Sequence, residues 1–236
     1  MSELLFIENL SSGYNGKAVL QNISISVNKG EVLAVIGQNG CGKSTLLKTI
    51  ARIIKDNSGN ISFANVNLNN KNTWDLKQQG ISWFVQGGMV FPTMKVSEHF
   101  ELALKDKNKT EAATIKEECL SYFPALANCM DKRGGNLSGG QRQMLSFAML
   151  LSQQTQCWLL DEPTAGLAPE AVKEAVEFLK KMKEQKNKTM ILVEHNLQVC
   201  FQVADKFSYI KDGIFKTISP TQKDNLFETL NKEMYE

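Results

Sequence analysis

An α/β fold built on a mainly parallel sheet is predicted by three features of this 236-residue sequence. Three short, almost wholly apolar runs, residues 32–36, 157–160 and 190–193, read as strands buried on both faces. Segments of helical character follow them, at 44–54, 171–186 and 196–204, and strands that alternate with helices build parallel sheets. A glycine-rich loop separates the first run from its helix, which places a sharp strand-to-helix turn there.

The remaining elements follow from alternation and turn chemistry. Residues 4–10 and 23–27 alternate and are rich in β-branched side chains, so they read as strands, and Asn28-Lys29-Gly30 is a turn. Residues 61–66 and 81–85 read as further strands. From Val96 to about Asn136 glutamate, lysine and alanine dominate at helical spacing, which predicts a helical insertion whose last helix is 140–152. Its stretch KDKNKTEAATIKEE (105–118) reads as a solvated helix or loop without chemistry. The helix at 171–186 is amphipathic, with Val172, Val176 and Leu179 on one face. Strands at 207–210 and 214–218 flank Asp212-Gly213, a strong hairpin signal, and the chain from Pro220 reads as helical.

Composition narrows the function classes. The chain is 42% hydrophobic and 22% charged, as in ordinary globular proteins, and its length suits one domain with a sizeable insertion. A net charge of +2 gives no electrostatic case for nucleic acid or an anionic membrane. The five cysteines, Cys41, Cys119, Cys129, Cys157 and Cys200, form no CxxC pair. That argues against a disulfide framework or a zinc site and fits a reducing cytoplasm. The start, MSELLFIENL, carries Glu3 and Glu8 and lacks the basic region of a signal peptide. No stretch of about 18 apolar residues occurs, so work at a membrane requires another chain to span it.

Chemistry concentrates at two places. GQNGCGKST (37–45) matches the phosphate-binding pattern GxxxxGK[ST] at Gly37, Gly42, Lys43 and Ser44, between an apolar strand and a helix as that motif requires. Backbone N–H groups of the loop surround phosphate oxygens, Lys43 reaches the β and γ phosphates, and Ser44 offers a hydroxyl to Mg2+. Asn39, Gly40, Cys41 and Thr45 complete the nucleotide-binding stretch, with Cys41 read as a small tolerated residue. WLLDEP (158–163) is the acidic counterpart. Asp161 ends a buried strand and can hold Mg2+ through water, and Glu162 at the strand tip can act as general base on a water. The second place is LSGGQ (137–141), where Ser138 caps a helix and leaves bare N–H groups pointing outward, a second anion site.

The set GQNGCGKST, LSGGQ and WLLDEP, in that order, resembles the nucleotide-binding subunit of ATP-binding cassette (ABC) transporters over essentially the whole chain. The resemblance implies a P-loop NTPase with a mainly parallel sheet, an antiparallel β subdomain at the N-terminus and an inserted helical subdomain. About 1–86 and 154–236 would form the core with its β subdomain, and about 87–153 the helical part with the LSGGQ signature. It also explains two phosphate cradles in one chain. In that family two cassettes pair head to tail, so that Ser138, Gly139, Gly140 and Gln141 of one would seal the ATP held by the other. Position by position, Tyr14 would stack on adenine, Gln86 would touch Mg2+ and the lytic water, and His195 would contact the γ phosphate. Metal ligation would fall to Ser44, Gln86 and Asp161, and catalysis to Glu162, His195 and Gln86, with ATP and Mg2+ as cofactors. The implied partners are polytopic membrane permease subunits, a second cassette of identical or related sequence and a solute-binding protein, with no nucleic acid. The chain would then sit peripherally on the inner face of the cell membrane.

GLAP (166–169) and GGMVFPTMKV (87–96) are similar to the cassettes of branched-chain amino acid importers and their urea and amide relatives. The match is partial: Gly88 stands where arginine is usual, Met94 where leucine is, and His99-Phe100 where Asn-Leu is common. Ala168 replaces a common aspartate, and His99 is assigned no function. Val90, Phe91 and Met94 read equally as a groove for a membrane subunit's coupling helix and as core of the insertion. The competing class is a cassette that acts mechanically on DNA, ribosomes or cofactor assembly. Such proteins often bring fused cassettes, coiled coils or basic stretches, none of which is present.

Overall fold

A computed structural model describes residues 3–218, so the helix expected from Pro220 lies outside the described residues. Strands β1 (Glu3–Tyr14) and β2 (Lys17–Asn28) form a hairpin. Both are longer than their apolar cores suggest, because Asn15 and Gly16 turn the chain with φ of 49° and 78°, the geometry that matches the twist of paired strands. With β4 (Asp56–Phe63) and β5 (Val66–Asn67) they make an antiparallel sheet in the order β2-β1-β4-β5. The strand expected at 61–66 is therefore the end of β4, a turn at Ala64 and Asn65 with φ of 48° and 65°, and the start of β5.

The second sheet positions the site. Its order is β10-β9-β3-β8-β7-β6, from Ile214–Ile218, Lys206–Lys211, Val32–Gly37, Thr189–Val193, Cys157–Asp161 and Ile81–Phe84. All neighbours are parallel except the β10–β9 hairpin. The ladders run level, with Val35 beside Val193, Val193 beside Asp161 and Leu160 beside Phe84. Four carboxyl-terminal strand ends, those of β3, β8, β7 and β6, thus lie side by side.

The central strands are apolar throughout because each face meets a different core. On β3, Val32, Ala34 and Ile36 pack with the helices that follow β6, β7 and β8, and Leu33 and Val35 pack with the helix that follows β3 and with the antiparallel sheet. Trp158 and Leu160 against Cys157 and Leu159 repeat this division on β7.

Helix α1 (Lys43–Ile50) is shorter than the expected 44–54. Arg52 adopts φ 58°, and N–H groups of Arg52 and Ile53 bond back to Thr49 O and Lys48 O, which closes the helix without a glycine to announce it. A short helix, α2 (Asp75–Gln79), was not expected. Between β6 and β7 come α3 (Val96–Ala103), α4 (Lys109–Tyr122), two 3-10 turns and α5 (Gly139–Ser152). The charged stretch 105–118 is mostly helix, since Asn108 caps α4 and Glu111 reciprocates. Phe147 of α5 sits 5.0 Å from Phe84 of β6 and 5.0 Å from Phe178 of α6 (Pro169–Lys186), which fastens these helices to the sheet. Helix α7 (Leu197–Val203) follows β8. Among the described residues no helix is long and apolar enough to cross a membrane.

Candidate functional site

Each of the four level strand ends delivers one part of the site. Beyond β3 the loop 37–42 wraps into α1, with Gly42 at φ 112°. A Cβ there would lie 2.7 Å from Leu20 Cδ2, so both conformation and space call for glycine. The buried Lys43 folds back and its Nζ donates to Gly37 O and Gln38 O, both at 2.8 Å. Burial pushes its pKa down, against the pull of Cys41, Glu162 and Asp161. Helix α1 is anchored from behind, where Thr49 Oγ1 donates to Thr45 O at 2.8 Å and lies 2.7 Å from Ser12 Oγ.

β7 ends in Asp161, which accepts from Ser44 Oγ at 3.0 Å. Burial raises the Asp161 carboxyl above its ordinary range. The Ser44 hydrogen bond opposes this, Glu162 adds to it, and Lys48 and Lys43 oppose it. The hydroxyl and carboxylate are the kind of oxygen donors that could hold a hard divalent cation such as Mg2+. Glu162 has φ 47°, a left-handed conformation uncommon for a residue other than glycine or asparagine, and it turns the chain sharply at the strand tip. Its Oε2 accepts from Gln86 Nε2 at 2.6 Å, just beyond β6, and its Oε1 lies 2.5 Å from His195 Nε2, just beyond β8. Two side chains far apart in sequence, Gln86 and His195, therefore meet at the Glu162 carboxylate. They face a cavity of about 390 Å³ lined by Asn39, Gly40, Gly42, Lys43, Ser44, Thr45, Gln86, Glu162 and His195.

Other candidate residues stand apart from that cavity. Tyr14, 45% exposed, ends β1 and does not line it. Cys41 borders a neighbouring pocket, and burial raises its thiol pKa. Ser138 caps α5 as expected: its Oγ accepts from Gln141 N at 3.2 Å, and Gln141 Oε1 accepts from Ser138 N at 3.1 Å. Gly139 faces open space, where a Cβ would meet nothing within 4 Å. The residues 138–141 do not line the cavity that Lys43 lines. Of the groove candidates, Val90 packs against the core, as the core reading expects, Met94 is half-buried and Phe91 is exposed. Ala168 caps α6 with no side-chain hydrogen bond, the bond an aspartate at that place can supply.

Two residues escape a reading of the sequence. Gln143 of α5 donates to Pro163 O and ties the LSGGQ helix to the loop after Glu162. Glu194 is buried beside His195 and bonds the Thr164 segment. The pattern ILVEH offers a carboxylate before the histidine but no sign of where it points.

Residues 20–165 match the protein family described as ABC transporter. The arginine transport ATP-binding protein ArtM of Bacillus subtilis is 33% identical over 214 residues, covering 89% of this chain and 89% of that protein. The high-affinity branched-chain amino acid transport ATP-binding protein BraG of Pseudomonas aeruginosa is 30% identical over 210 residues, covering 89% and 90%. Among solved structures, the ADP conformation of an ATP-binding cassette of an ABC transporter superposes with TM-score 0.86 at 25% identity, covering 99% of this chain and 98% of that one. A dimeric post-hydrolysis cassette bound to ADP and Pi superposes with TM-score 0.80 at 25% identity, covering 92% and 99%. The phosphate loop, the acidic strand end and the sheet order all agree with these matches, and the chain belongs to the ABC transporter family as an ATP-binding, ATP-hydrolysing subunit.

Proposed function

We propose that this subunit powers the import of amino acids or related small polar solutes, hydrolysing ATP at the strand-end cluster in a head-to-tail pair of cassettes. One observation carries the hydrolytic part: Gln86, Glu162 and His195 converge on the cavity that also holds Lys43 and Ser44. The loop amides and Lys43 hold the β and γ phosphates, and Tyr14 stacks on adenine. Ser44, Asp161 and Gln86 supply the oxygens for Mg2+, which when bound neutralises phosphate charge. Glu162 takes the proton of the attacking water, and His195 steadies the γ phosphate. In the resting chain both Glu162 oxygens are occupied, by Gln86 and His195, so engagement of water must displace one of those bonds.

Ser138, Gly139, Gly140 and Gln141 of the second cassette complete each site. They do not line the cavity of their own chain, as a site shared between two chains requires. Residues 87–153 act as the unit that answers to the membrane permease subunits, with exposed Phe91 and half-buried Met94 on the receiving face. The chain sits at the membrane through those subunits, and a solute-binding protein delivers the cargo. The substrate class is supported by GLAP and the segment 87–96, and by relatives named for arginine and branched-chain amino acid transport.

Glu162→Gln tests the reading. It keeps shape and removes the base, so turnover should fall by about a hundredfold or more while ATP holds the chain as a dimer on size-exclusion chromatography. Hydrolysis at the wild-type rate would remove Glu162 from this role.

A further inference from the structure

Glu194 lies between the end of β8 and His195, does not line the cavity and is 2% exposed. Its Oε1 accepts from the Thr164 amide at 2.9 Å and the Thr164 hydroxyl at 2.6 Å. Its Oε2 accepts from the His195 amide at 3.1 Å and the Asn196 amide at 3.4 Å. All four donors are neutral, and each oxygen serves a different segment. One segment leaves Glu162 and runs on to α6; the other leaves β8, carries His195 and enters α7. The backbone ladder between them reaches its tip where Glu162 N–H meets Val193 O at 2.9 Å. Beyond that bond the two segments are tied by side chains, those of Glu194 and of the His195–Glu162 pair. A carboxylate is a costly way to fill a buried position unless its bonds are needed, and here all of them go to the two segments that present Glu162 and His195.

We infer that Glu194 is a positioning residue for ATP hydrolysis: it clamps the segment behind Glu162 to the backbone of His195, so that imidazole and carboxylate meet at the cavity. The inference rests on the roles proposed above for Glu162 and His195. Glu194 touches neither nucleotide nor water and acts only through those two residues.

Glu194→Gln is the informative change. The glutamine keeps the shape but turns one acceptor into an NH2 donor. Turned towards His195 and Asn196 that donor faces two amide donors; turned towards Thr164 it faces one amide donor and a hydroxyl that must rotate to accept, so in either orientation the clamp loses at least one bond. Thr164→Val is the milder companion, since it removes a single hydroxyl bond and keeps the branched shape. The chain has two histidines, so imidazole 15N–1H spectra of the full, nucleotide-free protein resolve both rings. His99, held by Phe91 N and Lys95 O, reports that the fold is intact. The expected result is that the His195 signals move and broaden in Glu194→Gln while those of His99 stay, with a smaller change in Thr164→Val. Turnover of Mg-ATP should fall about tenfold to a hundredfold at little-changed KM, as for a small misplacement of a catalytic group.

His195 signals that stay put beside intact His99 signals overturn the clamp, whatever turnover does. If Glu194→Gln does not fold, unchanged His195 signals in Thr164→Val overturn it equally. A raised KM with turnover preserved also overturns it, as the mark of a binding defect. Moved His195 signals with unchanged turnover overturn the link to hydrolysis and place the failure in the His195 assignment rather than in the clamp.

Discussion

Asp161 carries a conflict between stability and function within one side chain. It is 4% exposed, and burial holds its carboxyl above the ordinary value of 3.8. A carboxyl raised in the folded state contributes stability that is present below its unfolded pKa and lost as pH rises through the folded one. Ionised Asp161 therefore weakens the nucleotide-free chain at neutral pH, a burden that its proposed role as a Mg2+ ligand would account for. Asp161→Asn removes that charge and keeps an oxygen for the Ser44 hydroxyl. It should raise the nucleotide-free Tm at pH 7, with the gain shrinking as pH falls towards 3.8, and should abolish Mg-dependent ATP turnover. Thermal unfolding at several pH values checks this, and a lower Tm at pH 7 would contradict the account.

At the scale of elements, the segment between Gln86 and α3 is shaped from beneath by His99. The sequence assigns this histidine no function, since a lone histidine in a helix says nothing about its ring contacts. In the fold it is fully buried, its Nε2 accepts from Phe91 N at 2.9 Å, and its Nδ1 lies 2.7 Å from Lys95 O. Both bonds form together when Nδ1 carries the proton, and they hold the turn that leaves Phe91 exposed. The same turn enters α3 with Lys95 N–H donating to Glu98 Oε2 at 2.6 Å. His99→Ala removes the acceptor of the part-buried Phe91 amide and leaves a cavity where the ring was, and should cost about 1–3 kcal/mol of stability in urea unfolding, with faster hydrogen exchange at Phe91. Unchanged exchange at that amide would remove His99 from this role.

For the whole molecule the decisive feature is the distribution of one proposed site over two chains. Lys43 lines the cavity and Ser138–Gln141 do not. Gly139 provides a clean test because a side chain there meets nothing within 4 Å. An aspartate at the first turn of α5 even suits the helix dipole, so Gly139→Asp should fold normally and bind ATP at its own loop. Its charge would oppose the γ phosphate of a partner chain, so turnover should vanish. Mixed with Lys43→Ala, which is inactive for the opposite reason, it should regain activity, because the mixed pair contains one intact loop facing one intact signature. Turnover of the two proteins apart and together measures this; no recovery would argue against a site shared in trans.

The local chemistry is legible in the sequence because it is written locally. A glycine loop before Lys43, an acidic end to an apolar strand and a serine ahead of two glycines each describe a few consecutive residues. Runs apolar at every position announce strands with two covered faces, and β3, β7 and β8 are such strands. Element ends are less legible: α1 closes on Arg52, and nothing in that residue type signals a left-handed turn. The antiparallel hairpin outruns its apolar core because Asn15-Gly16 turns the chain tightly and keeps polar residues paired up to Tyr14 and Lys17, with bulges on the way. The role of Glu162 is read from its strand end together with a resemblance that places Gln86 and His195 near it. Only the sheet order β3-β8-β7-β6 makes all three neighbours, and only the packing behind them turns Glu194 inward. Sequence dictates what each short segment can do with its own backbone and side chains. Which segments stand beside one another is decided by the burial of both sheet faces at once, a property of the assembled fold.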